Sequence, residues 1–254
     1  MKEIEGGNYD VKLEIRSEDE FERLALGFNK MASQYKQNLL NQQELNKAQM
    51  RMLQAQLNPH FLYNTLDAIK WLGVTHNVPV IAKLTTSLAA ILRSSISSKA
   101  LVMLDDELDF LEHYISIQCI RFENKFSYEM DIDPNCFDCI VPKLILQPLV
   151  ENSIIHGLEN CDEGYLKISA YEENGCLILR VYDNGCGLPA DILEWLHSEE
   201  KEKLPDHMGL YNVNEIISLQ YGKAYGLSHV PGFSEGTCLQ LRFPVERSEA
   251  PENK

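Results

Sequence analysis

The chain has 254 residues, 44% hydrophobic and 24% charged, so it is long and apolar enough for two or three packed modules. Its formal net charge of −15 at pH 7 argues against a nucleic acid partner, because a phosphate backbone is bound through clustered Lys and Arg. No stretch reaches the roughly 20 apolar residues of a membrane span, and no signal segment opens the chain, so the sequence given is expected to be soluble.

The seven cysteines are expected to be reduced intracellular thiols, because the chain is large and lacks an export signal. Cys136 and Cys139 form a CxxC pair. A structural zinc ion needs four ligands, and neither a second CxxC nor a pair of histidines supplies the other two.

The first predicted helix begins at Ser17, after a short charged connector. Ser17 and Glu20 have the spacing of a capping box, and Leu24, Phe28 and Met31 then recur at helical intervals. The same frame, continued to residue 56, is rich in Asn and Gln. The sequence therefore predicts a marginal helix rather than a strong coiled coil.

Two stronger amphipathic helices follow, at residues 57–72 and 80–98, with a turn between Gly73 and Pro79. Such a pair forms an antiparallel hairpin, and its apolar faces are too broad for one hairpin to cover. We therefore expect a homodimer in which two hairpins form a four-helix bundle. A further helix at residues 105–123 leads into the second module.

The second module alternates short apolar segments with helices, which predicts an α+β class with a mixed or antiparallel sheet covered by helices on one face. The segment between residues 171 and 176 is typical of a β-hairpin. The predicted helices are residues 143–157, 190–196 and 209–221, and the predicted strands are residues 126–132, 165–172, 176–183, 225–230 and 237–243.

Four polar or glycine-rich segments in this module suggest nucleotide chemistry when taken together. The amide oxygen of Asn152 suits a Mg²⁺ ion that keeps waters and bridges phosphates, and the carboxylate of Asp183 suits an adenine amino group. Gly185 and Gly187 let the backbone approach a ligand closely. Gly209 opens a helix whose free amides can receive phosphate oxygens. Each segment alone has an ordinary structural explanation, so the inference depends on their order and spacing.

These segments resemble the motifs of a known fold. Residues 151–157, 183–187, 207–212 and 236–237 look like the N, G1, G2 and Gly-Thr boxes of the GHKL or Bergerat ATP-binding fold. The segments 53–66 and 146–152 resemble those of the LytS/YesM class of sensor histidine kinases, and residues 19–31 resemble the second helix of a HAMP domain. The resemblance extends to about residue 245.

This resemblance implies a role for each matching residue. His60 is the implied phosphoacceptor, Asn152 the Mg²⁺ ligand and Asp183 the adenine reader. Thr237 supports the adenine contact, and His156 reaches the phosphates. Gly185, Gly187, Gly209 and Leu210 belong to the implied lid and phosphate loop.

The resemblance also implies a domain organisation and an upstream anchor. The expected domains are a partial HAMP and signalling helix at 1–47, a dimerisation and phosphotransfer hairpin at 48–104, a linker helix with a Bergerat-type α/β sandwich at 105–245, and a tail at 246–254. Because only the latter half of a HAMP module is present, we expect a truncated cytoplasmic piece of a protein anchored in the bacterial cell membrane.

The implied reaction is transfer of the ATP γ-phosphoryl to His60 and then to an aspartate of a response regulator, with ATP and Mg²⁺ as cofactors. His60 is followed by Phe61 rather than a carboxylate, as in the LytS/YesM class, so the local motif gives no general base. Glu151 is the leading candidate, and Asn64 is an alternative that would act by orienting the ring. Two other functions stay open, a GHKL ATPase and an ATP-sensing scaffold without catalysis.

Overall fold

The computed structural model describes residues 27–31, 33–34, 37, 59–97, 99–159, 161–198, 201, 208–233 and 235–247. The chain divides into two units, residues 1–62 and 63–254. Between residues 27 and 37 the described positions are helical, in agreement with the first predicted helix. The rest of that helix and the polar stretch 38–56 lie outside the described residues.

The next three helices agree with the sequence to within a few residues. They are α1 at Pro59–Thr75, α2 at Pro79–Ile96 and α3 at Leu104–Arg121. The loop between α1 and α2 includes Asn77 with φ of 53°, and Pro79 is suited to the first helical turn of α2 because that position needs no intrahelical N–H bond. In α3, three acidic residues in the first turn and Arg121 in the last complement the helix dipole.

The second module contains a five-stranded sheet. Its strands are β2 at Phe126–Ile132, β4 at Gly164–Glu173, β5 at Cys176–Asp183, β6 at Gly226–His229 and β7 at Thr237–Pro244. Their order in the sheet is β2-β4-β5-β7-β6. β2 and β4 are parallel and the other pairs are antiparallel, so the predicted mixed sheet is confirmed.

The predicted hairpin joins β4 to β5. Its turn residues, Asn174 and Gly175, have φ of 52° and 74°, the left-handed values that favour Asn-Gly in two-residue turns. The register pairs Leu166 with Asp183, so the hairpin sets the position of the last residue of β5.

Three helices pack against one face of the sheet. They are α4 at Gln147–Asn152, which continues as a π-helical turn at Ser153–Gly157, α5 at Ala190–His197 and α6 at Met208–Tyr221. The shared core contains fully or nearly fully buried side chains from strands and helices, among them Leu166, Ile168, Leu177, Leu179, Leu239, Leu241, Ile154, Trp195 and Ile217.

Two features differ from the sequence predictions. A second, two-stranded antiparallel sheet pairs β1 at Leu101–Met103 with β3 at Ile140–Pro142, and neither strand was predicted. The helix predicted over 143–157 begins only at Gln147. Leu144, three residues before the helix, has φ of 59°, and the Glu107 carboxylate accepts its backbone N–H at 2.8 Å, so this segment is a turn.

Candidate functional site

The carboxylate of Asp183 is the centre of the candidate site. It lies at the end of β5 with no exposed surface. The Ser153 hydroxyl donates to Oδ2 at 2.7 Å, and the Gly185 N–H donates to Oδ1 at 3.0 Å. Burial raises the pKa of Asp183, and the donors of Ser153 and Gly185, together with the backbone of Thr237, act in the opposite direction. A carboxylate accepts about four hydrogen bonds, so Asp183 can accept from a ligand in addition to these two.

Glycines let three backbone segments meet around this carboxylate. A Cβ on Gly157 would lie 2.8 Å from Asp183 Oδ1, and a Cβ on Gly185 would overlap the Gly157 carbonyl. The same carbonyl accepts the Cys186 N–H at 3.1 Å. Gly236 has φ of 80°, and a Cβ there would overlap the Asp183 carbonyl. The predicted N, G1 and Gly-Thr segments are therefore in direct contact.

Helix α4 places the predicted Mg²⁺ ligand beside this contact. Asn152 is 9% exposed and immediately precedes Ser153, whereas Glu151 and His156 are exposed. Burial, and secondly the negative charge of Glu151, raise the pKa of Tyr114 to about 12, which indicates that Glu151 lies close to that phenol. A buried amide oxygen next to an exposed carboxylate suits a hard cation such as Mg²⁺.

The predicted phosphate-loop residues lie around the first turn of α6. A Cβ on Gly209 would be 3.3 Å from the Pro148 side chain of α4, and Leu210 is buried. No acidic residue occupies this first turn, so its free amides keep their attraction for an anion. Gly187 has φ of 84°, and Thr237 is buried and pairs with Asp183 across β5 and β7. His207 lies outside the described residues.

The predicted phosphoacceptor lies on a separate part of the chain. His60 and Asn64 are both exposed on α1, one helical turn apart. His60 belongs to the first unit, whereas the site around Asp183 belongs to the second.

Three residues of the site received no role from the sequence. Ser153 and Gly157 follow Asn152 in the same segment, and Gly236 precedes Thr237, but only the fold reveals that all three contact Asp183. In the sequence, each of these positions is marked only by a small residue, Ser or Gly, and small residues are also typical of turns.

A cavity of about 810 Å³ lies away from this site, between α5, α6 and β6, where it is lined by Lys201, Asn214 and Arg242 among others. The CxxC thiols are fully buried, and burial, together with the neighbouring thiol, raises the pKa of Cys136 to about 11. Within the described ranges no group of three metal-ligating side chains occurs and no cysteine is in a disulfide.

Three family models match successive parts of the chain. The HAMP domain model matches residues 1–34, the histidine kinase model matches residues 48–126, and the model of histidine kinase-, DNA gyrase B- and HSP90-like ATPases matches residues 139–247. The sensor histidine kinase YesM of Bacillus subtilis (strain 168) is 38% identical over 210 residues, which are 82% of this chain and 35% of that relative. The chain belongs to the sensor histidine kinases of the YesM/LytS type.

Two other sensor kinases are similar to this chain over about the same share of its length. YpdA of Escherichia coli (strain K12) is 35% identical over 80% of this chain, and LytS of Bacillus subtilis (strain 168) is 30% identical over 82%. The chain spans little more than a third of the length of these relatives, 35% and 36% respectively.

Among solved structures, one that is similar to this chain is the histidine kinase domain of the Erythrobacter litoralis EL346 blue-light activated histidine kinase. It is 14% identical, with a TM-score of 0.45, and the match covers 74% of this sensor kinase chain and 94% of that one.

The domain bounds that were predicted from the sequence stay predictions. No helix among the described residues is long and apolar enough to cross a membrane.

Proposed function

We propose that this sensor kinase chain transfers the γ-phosphoryl of ATP to His60 and then to an aspartate of a response regulator. The observation that supports this most is the meeting of the N, G1 and Gly-Thr segments at the buried Asp183 carboxylate. Such a carboxylate suits an exocyclic amine, because it is fixed by hydrogen bonds from Ser153 and Gly185 and can accept a further one.

ATP is proposed to bind with its adenine against Asp183 and its phosphates toward the first turn of α6. Because Asp183 has no exposed surface, groups around its carboxylate must move aside when adenine enters and donates to it. Thr237 supports the adenine side, and Gly185, Gly187, Gly209 and Leu210 shape the phosphate side. His156 is exposed at the end of the π-helical turn and is proposed to reach the phosphates.

Asn152 is proposed to hold Mg²⁺ with its amide oxygen. Mg²⁺ commonly keeps several waters and takes only one or two protein ligands beside nucleotide phosphates, so a single amide with a nearby carboxylate is sufficient. When bound, the ion neutralises charge on the phosphates.

His60 is proposed to attack through one ring nitrogen. A neutral imidazole has a nucleophilic lone pair on one ring nitrogen and a proton on the other. As the bond to phosphorus forms, the imidazole ring becomes positively charged. The proton on its other nitrogen then needs an acceptor. Glu151 is proposed as that acceptor because its carboxylate is exposed beside Asn152, with Asn64 as the alternative that orients the ring.

The proposed partners are a second copy of this chain, a response regulator, and a membrane anchor upstream of residue 1. The hairpin supports the first, since Leu72 is 58% exposed and Leu88 is 41% exposed. The sensor kinase relatives support the other two.

Incubation with γ-labelled ATP and Mg²⁺ tests the proposal against its alternatives. A kinase yields acid-labile labelled protein, an ATPase yields free phosphate alone, and a scaffold binds ATP without releasing or transferring label. Addition of a receiver domain should then remove label from the kinase.

A further inference from the structure

The turn before α4 is joined to two other elements, to α2 by its own Lys143 side chain and to α3 by the Glu107 side chain. Residues 143–146 connect β3 to α4, the helix that bears Glu151 and Asn152. Neither the proposed ATP contacts nor the phosphoacceptor includes any residue of this turn.

Lys143 joins the turn to the end of α2. Its ammonium donates to the backbone carbonyl of Ser94 and, at 2.8 Å, to that of Ser97. These carbonyls belong to the last turn and C-cap of α2, where the final carbonyls have no intrahelical donor and the helix dipole is negative. The Lys143 N–H also donates to the Ala100 carbonyl at 3.0 Å.

Glu107 holds the other side of the same turn. Its side chain, from the first turn of α3, is 1% exposed and accepts the N–H groups of Leu144 at 2.8 Å and Leu146 at 3.1 Å.

The conformation of Leu144 shows that these contacts determine the turn. Its φ of 59° is a left-handed value that a bulky residue rarely adopts. A turn of this kind persists only where surrounding bonds over-determine it. The bonds from Glu107 and Lys143 are the ones that do so.

We propose that Lys143, anchored through the Glu107-bound turn, is a positioning residue that fixes the end of α2 relative to α4 and thereby sets the rate of phosphoryl transfer. Helix α2 is the second helix of the hairpin whose first helix bears His60. Ser153 and Gly157 hold α4 to β5 independently of Lys143. Loss of the Lys143 ammonium therefore changes the placement of the hairpin but leaves the nucleotide site intact. The kinetic part of this inference rests on the proposed function.

The test compares Lys143→Met with Lys99→Met, which changes an exposed lysine in the loop after α2 and serves as a matched control. In single-turnover labelling at saturating Mg-ATP, Lys143→Met should be slower by about 10- to 100-fold, the cost of roughly ångström-scale misplacement. The ATP dissociation constant by calorimetry should stay within about twofold, because all contacts proposed for the nucleotide remain. Lys143→Arg, which can donate to both carbonyls, should restore most of the rate.

Hydrogen exchange supplies a readout that needs no catalysis. Amides of residues 92–97 and 143–146 should exchange faster in Lys143→Met than in Lys99→Met. If the wild-type chain takes up no label, the proposed function fails, and this exchange difference still decides whether the joint exists.

Several results would overturn the inference. These are equal labelling rates in Lys143→Met and the control, a loss of ATP affinity that parallels the loss of rate, or unchanged exchange in both segments. Loss of cooperative thermal unfolding in Lys143→Met would also overturn it, because Lys143 would then stabilise the fold rather than position the hairpin.

Discussion

At the scale of single residues, Asp183 shows how neutral donors hold a buried carboxylate. The donors are the Ser153 hydroxyl and the Gly185 N–H, both from segments that the proposal assigns to ATP binding. Burying such a group is costly unless it is well hydrogen-bonded. The arrangement therefore serves both the fold and the proposed recognition of adenine.

Asp183→Asn should weaken ATP binding by about 1–3 kcal/mol, because the amide replaces an acceptor with a donor beside the adenine amine. Calorimetric titration measures the dissociation constant, and thermal unfolding checks that the variant is folded. Asp191→Asn, at an exposed position in the first turn of α5, is the control and should bind ATP like the wild type. An unchanged constant in folded Asp183→Asn would remove Asp183 from the adenine site.

Glu151→Gln should slow His60 phosphorylation by about 10²-fold, the low end for a general base, with little change in ATP affinity. Phosphoryl transfer depends mainly on positioning and charge neutralisation, so this loss should be smaller than that from removing Mg²⁺. Single-turnover labelling at saturating Mg-ATP gives the rate, and the exposed Glu159→Gln is the matched control. A Glu151→Gln rate within a few-fold of wild type would return the role to Asn64 or to water.

At the scale of elements, the sequence predicted those helices and strands that have a strong local pattern of apolar and turn residues. The Asn174-Gly175 turn predicted the β4–β5 hairpin because its backbone preference is local. β1 and β3 have three residues each and depend on pairing with one another, so no local pattern revealed them.

Long-range bonds explain the other differences at this scale. The sequence around Leu144 is apolar and typical of a helix. In the structure, the carboxylate of Glu107, 37 positions earlier, accepts the Leu144 N–H and keeps this residue out of a helix. For the candidate site, the motif residues were predicted by their order, whereas the bond from Ser153 to Asp183 spans 30 positions and becomes visible only in the fold. Periodicity cannot report a contact of that range.

The exposed apolar residues of the hairpin predict that the chain forms a dimer. Burial of a large aliphatic side chain contributes about 1.5–3 kcal/mol, so several such residues on two helices favour a four-helix bundle. Leu72→Glu should convert the dimer to a monomer in light scattering at tens of micromolar. Leu219→Glu changes an 82% exposed leucine on α6, outside the hairpin, and should leave the dimer intact. A monomeric wild-type chain would refute the predicted interface.

At the scale of the whole molecule, the acidic chain must attract a nucleotide locally. The net charge of −15 repels ATP, whereas the first turn of α6 lacks acidic residues and presents free amides. The proposed Mg²⁺ at Asn152 adds positive charge on the same side. The proposed phosphoryl transfer further requires that His60 meet the nucleotide bound at this site.

The most direct test of the central claim is labelling of His60→Gln with γ-labelled ATP beside calorimetric titration of the same variant. The account predicts no acid-labile, base-stable phosphoprotein and nearly unchanged ATP affinity, because His60 lies outside the proposed nucleotide site. A His60→Gln chain that still forms this phosphoprotein would contradict the account.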